Sequence, residues 1–281
     1  MLKQRVLTAI VLLCILLPGL FHSDPRVFSL LALAFVSAAA WEWGRLNGYG
    51  HGVAVLLGGA CAVACLVFWW AGWVVQQLPV LWTLTGAAWV LAGAWLLRAG
   101  VLAYNGYPRG LRLALGWLAL CLTWLAIAQA RQVGINFLLS VLALVWMADI
   151  GAYFAGRAWG GRWVRRKLAV TISPGKSWEG VAGGMAGVLL LALGWRSLDQ
   201  GWPIQVPSLY SHLGSKGMMF FCLALVFLTA MSVAGDLIES LVKRSAGVKD
   251  SSALLPGHGG VLDRVDALLP TLPLAMMLYS F

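Results

Sequence analysis

The chain has 281 residues, of which 61% are hydrophobic and only 11% charged, and it carries a formal net charge of +10. Apolar runs of about 18 residues or more recur along it, long enough to cross a hydrocarbon core of roughly 30 Å, and this excludes a soluble globular domain. The five cysteines (Cys14, Cys61, Cys65, Cys121, Cys222) all fall in apolar runs without a CxxC pair or a histidine at zinc-like spacing, so they read as small core residues.

Nine spans are predicted, over roughly 6–22, 28–43, 52–70, 80–97, 112–130, 133–155, 178–196, 218–242 and 262–281, which makes the fold class an all-α polytopic integral membrane protein. The first span follows MLKQR and imitates a secretory signal. No small-x-small cleavage site follows Leu16, Leu17, Pro18 and Gly19, so it is expected to stay as a helix. With the N-terminus inside, 16 of the 20 lysines and arginines lie on the cytoplasmic side, while 4 (Arg26, Arg131, Arg196 and Lys216) lie on the other. That asymmetry supports a cytoplasmic N-terminus and, with nine spans, an outward C-terminus. Trp69, Trp70, Trp73, Trp82 and Trp202 fall near span ends and read as interfacial anchors.

Residues 1–130 contain apolar helices with few charged loops and read as a transmembrane scaffold or a homodimer surface. Residues 131–281 read as the catalytic region. Two long basic loops, about 156–177 and 243–261, bracket helices that carry acids. The segment EGVAGGMAGV spaces Gly180 and Gly184, and Gly183 and Gly187, four apart, which lets membrane helices approach closely. The outer loop over 197–217 carries no motif, and no internal repeat of the kind that marks many transporters is visible.

Charge concentrates between residues 236 and 266. Asp236, Glu239, Ser240 and Lys243 are spaced i, i+3, i+4 and i+7, so they line one helix face. Asp236 and Asp149 each lie about six residues inside their spans, roughly 9 Å deep, where an unpaired carboxylate is costly. Asp263 and Asp266 occupy the first turn of the last predicted helix, where its dipole favours negative charge. Carboxylates gathered beside lysines and arginines suit Mg²⁺ completed by phosphate oxygens, and therefore phosphoryl or nucleotidyl transfer. No Ser/His/Asp or Cys/His arrangement competes with that chemistry.

Upstream, TISPGKSWEG sets Ser173, Lys176, Ser177 and Glu179 around a Pro-Gly turn just before a helix start, a suitable place for phosphate. A P-loop is excluded, because its spacing requires glycine where Val170 stands and Pro174 interrupts the loop. His258, between Gly257 and Gly259, reads equally as a phosphate or proton contact and as a local hydrogen-bonding residue.

Together, SLVKRxxxxKD, PGHGG and DRVD at these spacings resemble the signature of the phosphatidate cytidylyltransferases, the CDP-diacylglycerol synthase family. The resemblance continues into ADIGAYFAGRAWGG and ISPGKSWEGVAGG, covering roughly residues 145–270. One departure is that the family commonly has lysine where Gly175 precedes Lys176. The resemblance implies Mg²⁺-dependent transfer of CMP from CTP to phosphatidic acid, releasing pyrophosphate, with a second cation allowed. It further implies metal binding by Asp236, Asp263 and Asp266, with Asp263 the foremost, and catalytic roles for Lys243 and Arg264. Substrate binding falls to Ser173, Lys176, Ser240, Arg244, Lys249 and His258, with Asp149 and Glu179 in support. The expected setting is a bacterial inner membrane with the site facing the cytoplasm, lipid and CTP as partners, and no nucleic acid. A CTP-dependent polyprenol or phytol kinase would share these acids and bases, but the long KRxxxxKD to DRxD signature argues against it. An ion-coupled lipid transporter would carry acids to mid-membrane, whereas these cluster near one face.

Overall fold

The computed structural model describes residues 2–202 and 205–281, whose regular structure is eleven helices in one bundle. In chain order they are α1 (Leu2–Phe21), α2 (Pro25–Leu46), α3 (His51–Trp70), α4 (Pro79–Gly106), α5 (Arg109–Val133) and α6 (Ile135–Trp159). They continue with α7 (Trp178–Gly201), α8 (Leu209–Ser215), α9 (Met218–Ser245), α10 (Leu262–Val265) and α11 (Leu268–Tyr279). Local signals set their limits. Asp24 caps α2 by accepting from the Arg26 N–H, with Pro25 in the first turn, and Ser177 caps α7 by accepting from the Gly180 N–H. A kink divides α4 at Gly100, whose φ of 79° belongs to glycine.

Eight of these helices, α1 to α7 and α9, are long and apolar enough to cross a membrane, in agreement with the first eight predicted spans. The ninth is different: residues 262–281 divide into α10 and α11, interrupted around Asp266 and Ala267. Asp266 and Ala267 keep right-handed helical backbone angles, so α10 and α11 continue one another from Leu262 to Tyr279. α11 is enclosed by α4, α5, α6, α8 and α9, with Leu272, Leu274 and Ala275 wholly buried, so it faces other helices. Trp82 also departs from expectation. It is buried and donates from its indole nitrogen to Gln129 Oε1 at 2.9 Å, whereas Trp70 and Trp202 are exposed as an interfacial role requires. Cys61, Cys65 and Cys121 meet as free thiols in the core between α3 and α5.

The glycine spacing in α7 has the packing consequence expected of it. A side-chain methyl at Gly184 would lie 2.7 Å from the Ala148 carbonyl of α6, and one at Gly180 would lie 3.0 Å from that of Ala152. The two helices therefore touch backbone to backbone, which aligns the end of α6 with the start of α7.

Both chain direction and contacts bring the N-terminus and the two basic loops to one end of the bundle. Arg5 Nε donates to the Gly257 carbonyl at 3.0 Å, and Thr8 Oγ1 to that of Pro256 at 2.9 Å. At the opposite end, Arg131 closes the turn between α1 and α2 by donating to the Leu20 and His22 carbonyls.

The glycine seam gives a direct test. Gly184→Val should lower the stability of the detergent-solubilised protein by roughly 1–3 kcal/mol through overpacking. Gly194→Ala, where nothing lies within 4 Å, should be neutral or slightly stabilising in the same melting experiment.

Candidate active site

At the basic end of the bundle, the loop between α6 and α7 folds back on itself. The Ser173 N–H donates to the Ala169 carbonyl at 2.8 Å, and the Leu168 N–H to that of Lys176 at 3.2 Å. Arg244, at the end of α9, ties this loop to the next one. Its Nε donates to the Ile172 carbonyl at 3.4 Å and its Nη1 to the Val248 carbonyl at 3.1 Å.

Between α6, α7, α9 and the first loop lies a cleft of about 590 Å³, lined by Asp149, Tyr153, Arg157, Lys176, Ser177 and Asp236 among others. That volume suits a nucleotide-sized ligand. Lys176 Nζ reaches Asp236 Oδ2 at 2.5 Å, and Ser240 Oγ lies 3.4 Å from Asp236 Oδ1. Asp149 has no hydrogen bond or ion pair among the described residues, and its side chain opens into the cleft. A smaller hollow of about 230 Å³ at the other end, beside Arg196 and Asp199, holds no comparable group of acids.

The signature segment forms a second, adjoining cluster. Lys243 Nζ stands between Glu239 Oε2 and Asp263 Oδ1, 2.5 Å from each. The other oxygen of Asp263 accepts from the Gly260 N–H at 2.8 Å and from the N–H and hydroxyl of Ser251 at 3.0 and 2.9 Å. Asp263 thus answers its own loop. Both of its oxygens are engaged, as are those of Asp236, which meet Lys176 and Ser240. Asp266 is nearer the cleft: its carbonyl abuts Gly235, the neighbour of Asp236, and one carboxylate oxygen accepts from the Ala267 N–H at 2.7 Å.

One residue that pattern reading passes over holds this segment from the other side. Glu42 of α2 is fully buried, and its carboxylate accepts from the Val261 and Leu262 N–H groups at 2.9 and 2.6 Å. It also accepts from the hydroxyls of Ser252 and Ser251, at 2.5 and 3.1 Å. The only signal in the sequence is an acid within an otherwise apolar span.

The remaining expected residues are placed as follows. Glu179 Oε1 accepts from the N–H groups of Trp163 and Val164 at 3.0 and 2.9 Å, so it shapes the first loop without lining the cleft. Ser173 contributes to the backbone turn described above. Arg264 donates to the His258 carbonyl, and His258 Nδ1 is buried without a partner. Lys249 is exposed, with no bond among the described residues. The structure thus unites Asp149, Lys176 and Asp236 in the cleft, sets Lys243 and Asp263 beside it, and leaves Ser173, Glu179 and Lys249 away from its lining.

Electrostatics follows these contacts. Burial acts to raise the Asp263 carboxyl, but the bonds from Lys243, Gly260 and Ser251 outweigh it and hold the group at about 2. Burial and then the Asp236 carboxylate push Asp266 well above the usual range. Two carboxylates that repel each other beside a cleft favour a cation. The unpaired Asp149, the ammonium already drawn to Asp236, and a donor set of carboxylate oxygens without sulfur or imidazole fit Mg²⁺ rather than a soft metal.

A group held below its usual value of 3.8 stabilises the fold above that pH, and this contribution disappears as pH falls through about 2. For Asp263 it is on the order of 2 kcal/mol. Wild-type protein should therefore melt higher than Asp263→Asn at pH 5, and the gap should close as the pH is lowered toward 2.

Membrane-crossing helices that frame a cleft of mixed acids and bases at one end define a membrane-embedded site for anionic substrates. Comparison with known proteins gives this class a family. The model of the cytidylyltransferase family matches residues 3–281. The phosphatidate cytidylyltransferase of Pseudomonas aeruginosa is 40% identical over 283 residues, covering 97% of this chain and 95% of that protein. Those of Haemophilus influenzae and Brucella suis are each 35% identical, covering 100% of this chain and 99% and 93% of theirs. The chain belongs to the cytidylyltransferase family and is a nucleotidyltransferase.

Proposed function

We propose that this protein transfers CMP from CTP to phosphatidic acid, forming CDP-diacylglycerol and pyrophosphate, at the cytoplasmic face of a bacterial inner membrane. The observation that carries the reading is the cleft that joins Asp149, Lys176 and Asp236 at the basic end of the bundle. There, a soluble nucleotide and a lipid headgroup can meet without either leaving its own phase. The names of the relatives support phosphatidate as the acceptor.

In the reaction, a phosphate oxygen of phosphatidate attacks the α-phosphorus of CTP. The bond from that phosphorus to the bridging oxygen breaks, and pyrophosphate leaves with the bonding electrons. The acceptor is already an anion, so the site needs positioning and charge neutralisation more than a general base. Lys176 and Arg157 line the cleft and offset phosphate charge, while Arg244 holds the two loops together. Asp236, with Asp149 and Asp266, would hold Mg²⁺, which when bound neutralises charge on the phosphate oxygens. Lys243 keeps Asp263 and Glu239 neutralised beside them. Asp263, the foremost metal candidate by resemblance, adjoins this group through Lys243 and keeps that candidacy.

Purified protein given labelled CTP, phosphatidic acid and Mg²⁺ should form a nucleotide-bearing lipid and release pyrophosphate. A phosphorylated lipid with CDP would instead identify a lipid kinase, and no product across several acyl chains would overturn the proposal. Asp236→Asn should lower turnover by about 100-fold or more with little change in melting temperature. Gly175 also lines the cleft, and a side chain there would meet nothing within 4 Å. Gly175→Lys should therefore fold normally and lower the KM for CTP by about threefold to tenfold in low-salt buffer, with the gain shrinking as salt rises.

A further inference from the structure

We infer that Glu42 is a positioning residue for nucleotidyl transfer: from the N-terminal half of the chain, its buried carboxylate sets the conformation of the 251–263 segment. The inference rests on the cytidylyl-transfer reading for its effect on rate, but not for its effect on the loop.

The geometry has three parts. First, Glu42 is 0% exposed, and no basic side chain pairs with it among the described residues. Its charge is answered by four neutral donors, all from residues 251–262. Two of them, the Val261 and Leu262 N–H groups, begin α10, the short helix that carries Asp263 and Arg264. A carboxylate at such a start meets N–H groups that have no partner within the helix. Second, Asp263 grips the same segment from the opposite side through Ser251 and Gly260. Ser251 Oγ lies 3.1 Å from Glu42 Oε2 and 2.9 Å from Asp263 Oδ2, so its one proton serves one carboxylate at a time, and a side-chain methyl at Gly260 would lie 2.5 Å from Glu42 Oε1. The segment is clamped between two acids with no room to shift. Third, Asp263 is the link onward to Lys243, which reaches Glu239 on the face of α9 that also carries Asp236. Glu42 therefore bears on the cleft through the segment it holds.

Each Glu42 oxygen accepts from one backbone N–H and one serine hydroxyl. This division makes glutamine a sharp probe. A glutamine amide placed here keeps the shape but turns one acceptor into a donor. The serine on that side can rotate to accept, but the backbone N–H cannot, so one N–H of the α10 start loses its partner while most of the packing survives. Aspartate keeps two acceptors on a shorter stem.

The test compares wild type, Glu42→Gln and Glu42→Asp as full-length protein in lipid nanodiscs, by steady-state kinetics and by hydrogen exchange of backbone amides. Glu42→Gln should lower kcat by about tenfold or more, with a smaller change in the KM for CTP, and should speed exchange of amides in 251–263. Exchange in α5 and α6 should be unchanged, and Glu42→Asp should recover part of both losses. Wild-type kcat and wild-type loop protection in Glu42→Gln would overturn the inference. So would faster exchange throughout the bundle, which would make Glu42 a general stability residue. If wild type forms no CDP-diacylglycerol, the functional reading fails by itself, and the exchange comparison still decides whether Glu42 holds the loop.

Discussion

A carboxylate inside an apolar helical bundle has to be answered by donors or cations, and most of the organisation at the basic end of this protein follows from that requirement. Glu42 is answered by four neutral donors, Asp263 by a lysine and a loop, and Asp236 by Lys176. Each answer draws in a different part of the chain. The loop before α7 reaches α9 through Lys176, and the segment before α10 reaches α2 through Glu42. Removing a partner of Glu42 or Asp263 leaves a charge in a poor solvent, whereas the half-buried pair of Asp236 and Lys176 keeps access to water.

The chemistry uses what this arrangement leaves over. Asp149 is the acid of the cleft without a partner among the described residues, and Asp266 is crowded by Asp236. Those two features set them apart from the acids answered within the protein, which give the cleft its shape.

Much of this was legible in the sequence. Eight of the nine predicted spans correspond to long helices, because a hydrocarbon core imposes a length that composition reveals directly. The glycine steps in α7 predicted close helix contact, and Gly184 against Ala148 shows it. The surroundings of the last span were not legible, because an apolar run of that length reads the same whether it faces lipid or other helices. Its interruption at Asp266 and Ala267 is marked by Pro270, which has no N–H to give the Asp266 carbonyl, so the Leu269 N–H donates there at 3.2 Å. Trp82 was misjudged for a related reason: an indole near a span end can serve the interface or, as here, find Gln129 inside the bundle. Glu42 was invisible as a site residue because its partners lie more than 200 residues away, and no periodic pattern connects them.

The enclosure of α11 bears on how the molecule is made. Five helices surround it, and all of them precede it in the chain. Membrane helices enter the bilayer in the order of synthesis, so α1 to α9 must be inserted around a space that stays unfilled until translation reaches residues 268–279. Until then α4 can pack on α9 and α5 on α2, but the faces of α4, α5 and α9 that α11 covers stay open. Assembly of the centre is therefore a late, post-insertion event, and a ribosome stalled before α11 would leave in the membrane a set of correctly threaded helices that cannot close.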